Sequence, residues 1–343
     1  MAKRSILVIK HGALGDIVQA FDAFASLRQG HPDDRLVLMT SPPFAGLARL
    51  MPWFDEVVVD PRAGLLRFAA NWRLIRLLTA GWSRIYDFQC SGRTARYFRF
   101  IIRWTGAEFV GTARGASHPL PSMDGVNNRD RMLRTAELGG CPATQASLDW
   151  LKSAVEPWPD RLAVLVPGCS PAKPSKRWPA ERYAGLAAML LEAGRLAVLV
   201  PGCSPAKPSK RWPAERYAGL AAMLLEAGFQ PAVAGTEADR AEADIILAKA
   251  PDTLDLIGKT PLPRLAGAFS AASLVVGNDT GPVFLAARCG APTLMLMGPD
   301  TDPSMSAPVG PHASWLKVDD LNRLEPAAVL ERCRAMTSGE ATA

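Results

Sequence analysis

The sequence predicts an α/β fold of two Rossmann-like domains, each with a parallel sheet covered by helices. Short apolar runs alternate with amphipathic helical segments along most of the chain, as in successive βαβ units. This alternation fades in a polar stretch at 126–158 and then resumes. A length of 343 residues with 48% hydrophobic residues suits two domains with buried cores. We expect domains at 1–155 and 156–343, with the two sheets facing across a cleft and ligands beyond the carboxyl ends of the strands.

The expected elements follow the apolar runs in order. In the first half the predicted strands are ILVIK (6–10), RLVLMT (35–40), EVVVD (56–60) and RIYDFQ (84–89). In the second half they are LAVLVPG, QPAVAG, TLDLIG, SLVVGND and TLMLMG. A helix from about Asp16 to Gln29 follows the first strand. The helix expected near Gly64–Leu78 is interpreted as a core helix, the alternative being a helix that lies on a membrane.

The second half contains a perfect repeat, because Arg161–Gly194 recurs letter for letter as Arg195–Gly228. Two copies of a strand, a loop and a helix are too few for a repeat array. We interpret them as a tandem duplication of one βα unit, with one copy an insertion; a recent natural duplication, a designed one and an error of sequence assembly are the alternatives for its origin.

The second copy is expected in the sheet, because its helix leads directly into FQPAVAG, and the first is expected to be extruded after Asp160 as an aggregation hazard. Two alternatives stay open. The first copy can be the seated one, or Leu196–Val200 can take the place of the QPAVAG strand.

Composition narrows the classes of function. The net charge of +6 fits an anionic partner. The apolar run at the N-terminus is cut short by Lys10, His11 and Gly12, which disfavours a secretory signal and predicts a cytoplasmic protein. The six cysteines form no C-x-x-C pair and do not cluster with the four histidines, which disfavours a zinc site or a disulfide framework.

The first motif is KHGALGDIVQA at Lys10–Ala20, where a strand turns into a helix. Asp16 stands at the helix start, where it can cap the helix or act in catalysis. The motif contains no G-x-G-x-x-G, so a nicotinamide site has little support.

The second motif is GNDTGPVFLAARCGAP at Gly277–Pro292, which runs from a strand into a helix. The free N–H groups of such a helix start can hold a diphosphate, with Asp279, Thr280 and Gly281 beside it. The alternative is a capped turn without a ligand.

The third motif, PGCSPAKPSKRWP, occurs in both copies of the repeat. It offers Ser204 and Lys210 in the second copy, and Ser170 and Lys176 in the first. Cations beside a helix N-terminus are unfavourable with the helix dipole, so their presence favours an anionic ligand over solvated lysines.

The fourth motif is CSGRTARYFRFIIRW at Cys90–Trp104, whose arginines recur at helical spacings of three and four. The arginines expected on one face are Arg93, Arg96, Arg99 and Arg103, and the apolar residues expected to pack on another are Phe98, Ile101, Ile102 and Trp104. The basic face suits an acceptor with carboxylates or phosphates, or an anionic membrane surface, and the alternative is a solvated face.

Together these segments resemble the heptosyltransferases, glycosyltransferase family 9, which transfer ADP-activated heptose to the inner core of lipopolysaccharide. The matching segments, in the family's order, are IKHGALGDIVQA, PGCSPAKPSKRWPAERYAGL and GNDTGPVFLAARCGAPTLMLMGPDTDP, with a looser match at DFQCSGRTAR. The resemblance implies a GT-B fold and an inverting, single-displacement mechanism with no metal and no other cofactor. It implies a nucleotide-sugar donor such as ADP-heptose, an anionic lipid-linked acceptor of the Kdo–lipid A type, peripheral contact with the inner membrane, and no nucleic acid.

The resemblance also implies residue roles. Asp16 is the general base, and Lys210, or its twin Lys176, neutralises the donor diphosphate. Ser204 (Ser170 in the first copy) lies in the same phosphate loop, and Asp279, Thr280 and Gly281 hold the donor sugar and phosphates. Arg93 and Arg96 are expected to bind the acceptor.

The chain departs from the family's pattern in two places. Phe284 stands where the family usually has a histidine, which leaves open a transferase for another nucleotide sugar. The duplication leaves open a nucleotide-sugar-binding protein without turnover. Asp300-Thr301-Asp302 has the D-x-D spacing of a metal site but follows the last predicted strand in a Pro-rich loop, so no metal is expected there.

Overall fold

A computed structural model describes residues 3–60, 68–152, 162–166, 196–199, 232–235, 237, 240–249, 251, 254–279, 281–299, 301–324, 328, 332, 335 and 336. The chain divides into two compact units, Met1–Trp150 and Leu151–Ala343. The division therefore falls at 150/151, where the sequence suggested 155/156.

The first unit is built on one parallel sheet in the order β3-β2-β1-β4-β5-β6. The strands are β1 (Ser5–Ile9), β2 (Arg35–Thr40), β3 (Glu56–Val59), β4 (Arg84–Asp87), β5 (Glu108–Gly111) and β6 (His118–Pro119). This is the doubly wound order, in which the chain reverses its direction across the sheet between β1 and β4. The apolar run of β1 is buried on both sides, as a central parallel strand requires.

Helices cover both faces of this sheet. They are α1 (Leu14–Gln19), α2 (Phe21–Gly30), α3 (Ala45–Ala48), α4 (Phe68–Leu78), α5 (Gly92–Phe100), α6 (Asn128–Leu138) and α7 (Asp149–Lys152), with 3₁₀ turns at Pro42–Phe44 and Ile102–Trp104. Helices α4 and α5 share one hydrophobic cluster, which includes Leu78 and Phe98, so they lie on the same face. Helix α6 packs against α2 and α1.

The polar stretch that follows β6 contains a helix that the sequence analysis did not predict. Asn127 caps α6 by accepting a hydrogen bond from the Asp130 N–H at 2.9 Å. Arg129 Nε then lies 2.8 Å from Oδ2 of the buried Asp22 on α2, which ties α6 to the first unit. The expected single helix after β1 is divided into α1 and α2 at Ala20.

The second unit has a parallel sheet in the order β10-β9-β8-β7-β11-β12-β13. Its strands are β7 (Leu162–Val166), β8 (Leu196–Leu199), β9 (Ala232–Gly235), β10 (Leu254–Ile257), β11 (Ala272–Asn278), β12 (Thr293–Met297) and β13 (Ala313–Lys317). The described helices are α8 (Arg240–Lys249), α9 (Leu262–Ala271), α10 (Gly281–Arg288) and α11 (Pro303–Ser306), with a 3₁₀ turn at Leu321–Arg323.

Both copies of the repeat place their strand in this sheet, so the expectation that the first copy is extruded was wrong. Strand β7, from the first copy, pairs with β11 on one side and with β8, from the second copy, on the other. Strand β8 lies between β7 and β9, so it takes the position beside β7 that the QPAVAG strand would otherwise hold, as the hybrid alternative stated. Without β8, the order of the remaining six strands matches that of the first unit. Because β7 pairs with a strand on each side, the LAVLV segment of the first copy has no free strand edge. It is therefore no longer expected to promote aggregation.

Among the described residues, no helix is both long and apolar enough to span a membrane.

Candidate functional site

The candidate site of the first unit lies where β1 and β4 end, the point at which an open α/β sheet binds its ligand. Lys10 and His11 follow β1, and Asp87 ends β4. Gly12 then turns the chain toward α1 at φ 120, and a Cβ built on it would lie 2.2 Å from Phe44 Cε2. Only glycine fits this turn, because both the backbone angle and the space exclude a side chain.

Asp16 is held by hydrogen bonds to both carboxylate oxygens. Oδ2 accepts from the Ala13 N–H at 3.1 Å, which stabilises the first turn of α1. Oδ1 accepts from Asn128 Nδ2 at 2.6 Å. The side chain is half-buried, and each oxygen keeps a second lone pair for another donor. Asp16 therefore contributes to the helix start and can still accept a proton from a ligand.

Asn128 is itself oriented by Arg131, one turn further along α6. Its Oδ1 accepts from Arg131 Nη2 at 2.7 Å and Nε at 3.3 Å. Arg131 Nη2 also donates to the Phe88 carbonyl at 3.2 Å, just beyond β4. Because Oδ1 faces the guanidinium, the amide group must direct its N–H toward Asp16. Asn128 and Arg131 are the site residues that the sequence analysis missed.

Lys10 adds a second cation that interacts electrostatically with Asp16. Its side chain is buried, and Nζ donates to the Phe88 carbonyl at 3.4 Å. Burial lowers the pKa of Lys10 to about 8, and the nearby Asp16 carboxylate opposes that shift. The charge on Lys10 therefore costs folding energy, which favours a role in the site over a role in stability.

A chain of buried polar groups lies beside this turn. His11 Nε2 is 3.1 Å from Asp60 Oδ2, and the Tyr97 hydroxyl donates to the same oxygen at 2.7 Å. Arg93 Nη1 donates to the Tyr97 hydroxyl at 3.3 Å. Burial raises the pKa of Tyr97 to about 12, so the phenol keeps its proton and remains a donor. This chain connects the start of α5 to the turn that carries Asp16.

The arginines predicted to share one face over Cys90–Trp104 differ in their exposure and contacts. Arg93 is half-buried against Tyr97, whereas Arg96 is exposed and its Nη1 lies 4.0 Å from a Cβ built on Gly92. Both guanidinium groups thus lie near the start of α5. The expected packing of Trp104 was wrong, because α5 ends at Phe100 and the Trp104 side chain is 75% exposed.

In the second unit, the candidate residues lie at the ends of β11 and β12. Asp279 follows β11, and its Oδ2 accepts from the hydroxyl of the buried Thr301 at 3.1 Å. Helix α10 begins two residues later, at Gly281, so the strand is followed by a helix as the motif predicted. Phe284 is buried, so an apolar side chain fills the place of the family's histidine. Thr280 lies outside the described residues.

The loop PGCSPAKPSKRWP lies outside the described residues in both copies, and with it Ser170, Lys176, Ser204 and Lys210. The strands that lead into the two copies of the loop are described. Val166, the last residue of β7, pairs with Gly277 of β11, two residues before Asp279. The second copy follows β8, one strand further from β11.

Within the described part of the chain, no three His, Cys, Asp or Glu side chains are grouped so that they could hold a metal ion. Asp302 caps α11 by accepting from the Ser304 N–H at 2.9 Å. Asp300, the other acid of the D-x-D sequence, is not among the described residues.

Residues 196–327 match the family model of glycosyltransferase family 9 (heptosyltransferase). The match begins at the second copy of the repeat. The two copies are identical, so their residues alone fit the family model equally well. The match starts at the second copy because that copy runs directly into the rest of the matched sequence. A Haemophilus influenzae protein provisionally named a glycosyltransferase is 39% identical over 57 residues, which is 17% of this chain and 16% of that protein.

Solved heptosyltransferases share the fold over nearly the whole chain. Escherichia coli ADP-heptose lipopolysaccharide heptosyltransferase II aligns with a TM-score of 0.67 and 19% identity, covering 98% of this chain and 99% of that one. Escherichia coli heptosyltransferase WaaC with ADP aligns with a TM-score of 0.71 and 18% identity, covering 97% of this chain and 99% of that one. A family 9 glycosyltransferase from Veillonella parvula aligns with a TM-score of 0.70 and 17% identity, covering 98% of this chain and 97% of that one. The fold is therefore GT-B, and residues 196–327 are similar to glycosyltransferase family 9, the heptosyltransferases.

Proposed function

We propose that this chain is a family 9 glycosyltransferase that moves heptose from ADP-heptose to an inner-core acceptor of the Kdo–lipid A type, with inversion and without a metal. The observation that carries the proposal is Asp16, held through Asn128 at the ligand-binding end of the first sheet. The solved relatives support the donor, since WaaC was crystallised with ADP and with an ADP-heptose analogue.

In the proposed step, Asp16 is the general base. The acceptor oxygen bonds to the anomeric carbon while the bond from that carbon to the diphosphate oxygen breaks. The electron pair leaves with ADP, and the proton of the acceptor hydroxyl passes to the Asp16 carboxylate. A positioned carboxylate contributes about 10²–10⁴-fold to such a step.

The first unit supplies the acceptor site in this proposal. Lys10 and Arg131 place two cations at the Phe88 carbonyl, beside Asp16, and Arg93 and Arg96 lie at the start of α5. Carboxylate or phosphate groups on the acceptor would meet this positive charge. As part of the same proposal, the enzyme works in the cytoplasm at the inner face of the membrane.

The second unit supplies the donor site. We assign the diphosphate to the start of α10, with Asp279, Thr280 and Gly281 around it. The register between β7 and β11 favours Ser170 and Lys176 of the first copy as the phosphate loop, in place of Ser204 and Lys210. The charge that develops on the leaving diphosphate would be stabilised by the lysine and by helix N–H groups.

A related transferase with another nucleotide sugar is the second candidate. It is favoured by Phe284, whose buried ring offers no hydrogen bond at the position of the family's histidine. Transfer from ADP-heptose, ADP-glucose, UDP-glucose and GDP-mannose to a delipidated Kdo acceptor separates the two candidates. ADP-heptose is expected to give the highest kcat/KM, with activity retained in EDTA; a preference for another donor or a strict need for a divalent metal would contradict the proposal.

A further inference from the structure

Helix α4 and the region around the end of α5 expose an unusual amount of apolar surface. Among the described residues, the large apolar side chains that are more than 60% exposed all lie here: Phe68 at 78%, Trp72 at 63%, Phe100 at 63% and Trp104 at 75%. Ile75, at 38%, continues the row along α4. We call these five side chains the aromatic surface. Exposed apolar side chains in such a group indicate an interaction site.

The apolar side chains of α4 form two separate stripes. Phe68, Trp72 and Ile75 are spaced four and three residues apart, so they share one side of the helix. The opposite side packs on the core, where Leu78 is buried and Leu74 and Leu77 contact the cluster. The expectation of a core helix was therefore only half right. One stripe attaches α4 to the sheet, and the other is left on the outside.

The second part of the aromatic surface lies on the same face of the sheet. Phe98 and Ile102 are buried in the cluster that also holds Leu78 of α4, whereas Phe100 and Trp104 point away from it. Both elements thus turn their buried sides toward one core and their exposed sides outward. A flat, extended partner could contact both at once.

The two segments that carry this surface are rich in positive charge. The segments Phe68–Leu78 and Gly92–Trp104 contain six arginines and no aspartate or glutamate. Arg73, Arg76, Arg99 and Arg103 are exposed. The Arg99 guanidinium carbon lies 5.3 Å from the Phe100 ring centre, and that of Arg103 lies 4.8 Å from the Trp104 ring centre.

We propose that the aromatic surface and its arginines bind the protein to an anionic phospholipid bilayer. Exposed tryptophan and phenylalanine suit the boundary between headgroups and acyl chains, and arginine beside them suits anionic headgroups. The aliphatic Ile75 in the row favours a bilayer over single-stranded nucleic acid, which needs stacking rings. The inference rests on the proposed function in that a lipid-linked acceptor gives the enzyme a reason to approach a membrane.

The test is flotation of the full chain with vesicles of phosphatidylcholine alone or mixed with phosphatidylglycerol. The wild type should bind the mixed vesicles preferentially. Arg99→Gln with Arg103→Gln should lower the partition coefficient about 25-fold, at about fivefold for each charge, and added salt should shrink this difference. Trp72→Ala with Trp104→Ala should lower it about tenfold at any salt concentration.

Two controls remove similar side chains from elsewhere on the protein. Arg49→Gln and Trp315→Ala replace exposed residues outside the surface and should bind vesicles as the wild type does. Transfer to a delipidated, water-soluble acceptor separates docking from the proposed function, because the surface variants should keep it while losing vesicle binding.

Several outcomes would overturn the proposal. The first is a wild-type protein that does not bind the mixed vesicles, and the second is a wild-type protein that binds neutral and mixed vesicles equally well. The third is a result in which the surface variants bind the mixed vesicles as well as the wild type does. Self-association or binding to a single-stranded oligonucleotide that is tighter than vesicle binding, and lost in the Trp72→Ala, Trp104→Ala variant, would assign the surface to another partner.

Discussion

Asn128 on α6 donates its side-chain N–H to Asp16 Oδ1 at 2.6 Å, across a separation of 112 residues in the sequence. Arg131 fixes the other end of the amide, so the pair has one orientation. Asp16 thereby points in a direction set by a helix that follows β6, as well as by its own turn. We infer that Asn128 is a positioning residue for the general base.

Asn128→Ala should therefore lower kcat about tenfold to a hundredfold while leaving the KM for the donor unchanged, because only the orientation of the base is lost. Asn128→Asp provides the sharper readout. A second carboxylate beside Asp16 makes the pair harder to ionise, so the acidic limb of the pH–kcat profile should move to higher pH. Identical kcat values and pH profiles in all three proteins would show that Asn128 has no role beyond α6.

Lys10 should reduce the stability of the protein near neutral pH. Its folded-state pKa is about 8, below the ordinary value of 10.5, so the unfolded chain binds the proton more tightly. Below pH 8 the buried ammonium costs the folded state about 3 kcal/mol, and this cost is relieved as the pH rises from 8 toward 10.5. Lys10→Met should raise the free energy of unfolding at pH 7 by about 1–3 kcal/mol, and the advantage should shrink by pH 10.

Denaturant unfolding of both proteins from pH 7 to 10 measures this difference. Lys3→Met, which replaces an exposed lysine, is the matched control and should change little. A Lys10→Met protein that is less stable than the wild type at pH 7 would contradict the interpretation of Lys10 as a cation retained for function.

The start of α5 should serve the acceptor. Replacing Arg93 and Arg96 together with Ala should raise the KM for a water-soluble Kdo acceptor about fivefold or more, at about 1 kcal/mol for an exposed ion pair. The rise should become smaller at high salt, and the KM for the donor should stay constant. Arg49→Ala is the control for general charge effects. An unchanged acceptor KM would make this a solvated basic face.

The two identical loops of the repeat should differ in function, because only the first follows the strand next to β11. Lys176→Ala should weaken ADP binding about tenfold or more, the cost of losing a charge-assisted hydrogen bond, whereas Lys210→Ala should change it less than about twofold. Calorimetric titration with ADP measures both. The reverse result would assign the phosphate loop to the second copy. Since deletion of either copy gives the same sequence, the single-copy chain should bind ADP like the wild type.

The alternation of apolar runs was enough to predict two parallel sheets, because central strands are buried on both faces. It could not place β7 and β8, since identical sequences have identical propensities and only pairing with β11 and β9 distinguishes them. Asp16 was identifiable from its motif. Asn128 was not identifiable, because its helix has a polar composition and its hydrogen bond to Asp16 joins residues far apart in the sequence. The one local signal was a capping pattern, with Asn127 three residues before Asp130, which indicates the start of a helix but not the contact.

The central claim is that Asp16 takes the proton of the acceptor hydroxyl, and single-turnover transfer tests it most directly. Enzyme in excess over ADP-heptose and a Kdo–lipid acceptor should transfer heptose about 10²–10⁴-fold more slowly with Asp16→Asn than with the wild type. ADP affinity should stay within a few-fold, and Asp33→Asn, which changes an exposed carboxylate, should transfer normally. An Asp16→Asn protein that keeps more than about a tenth of the wild-type rate would contradict the claim.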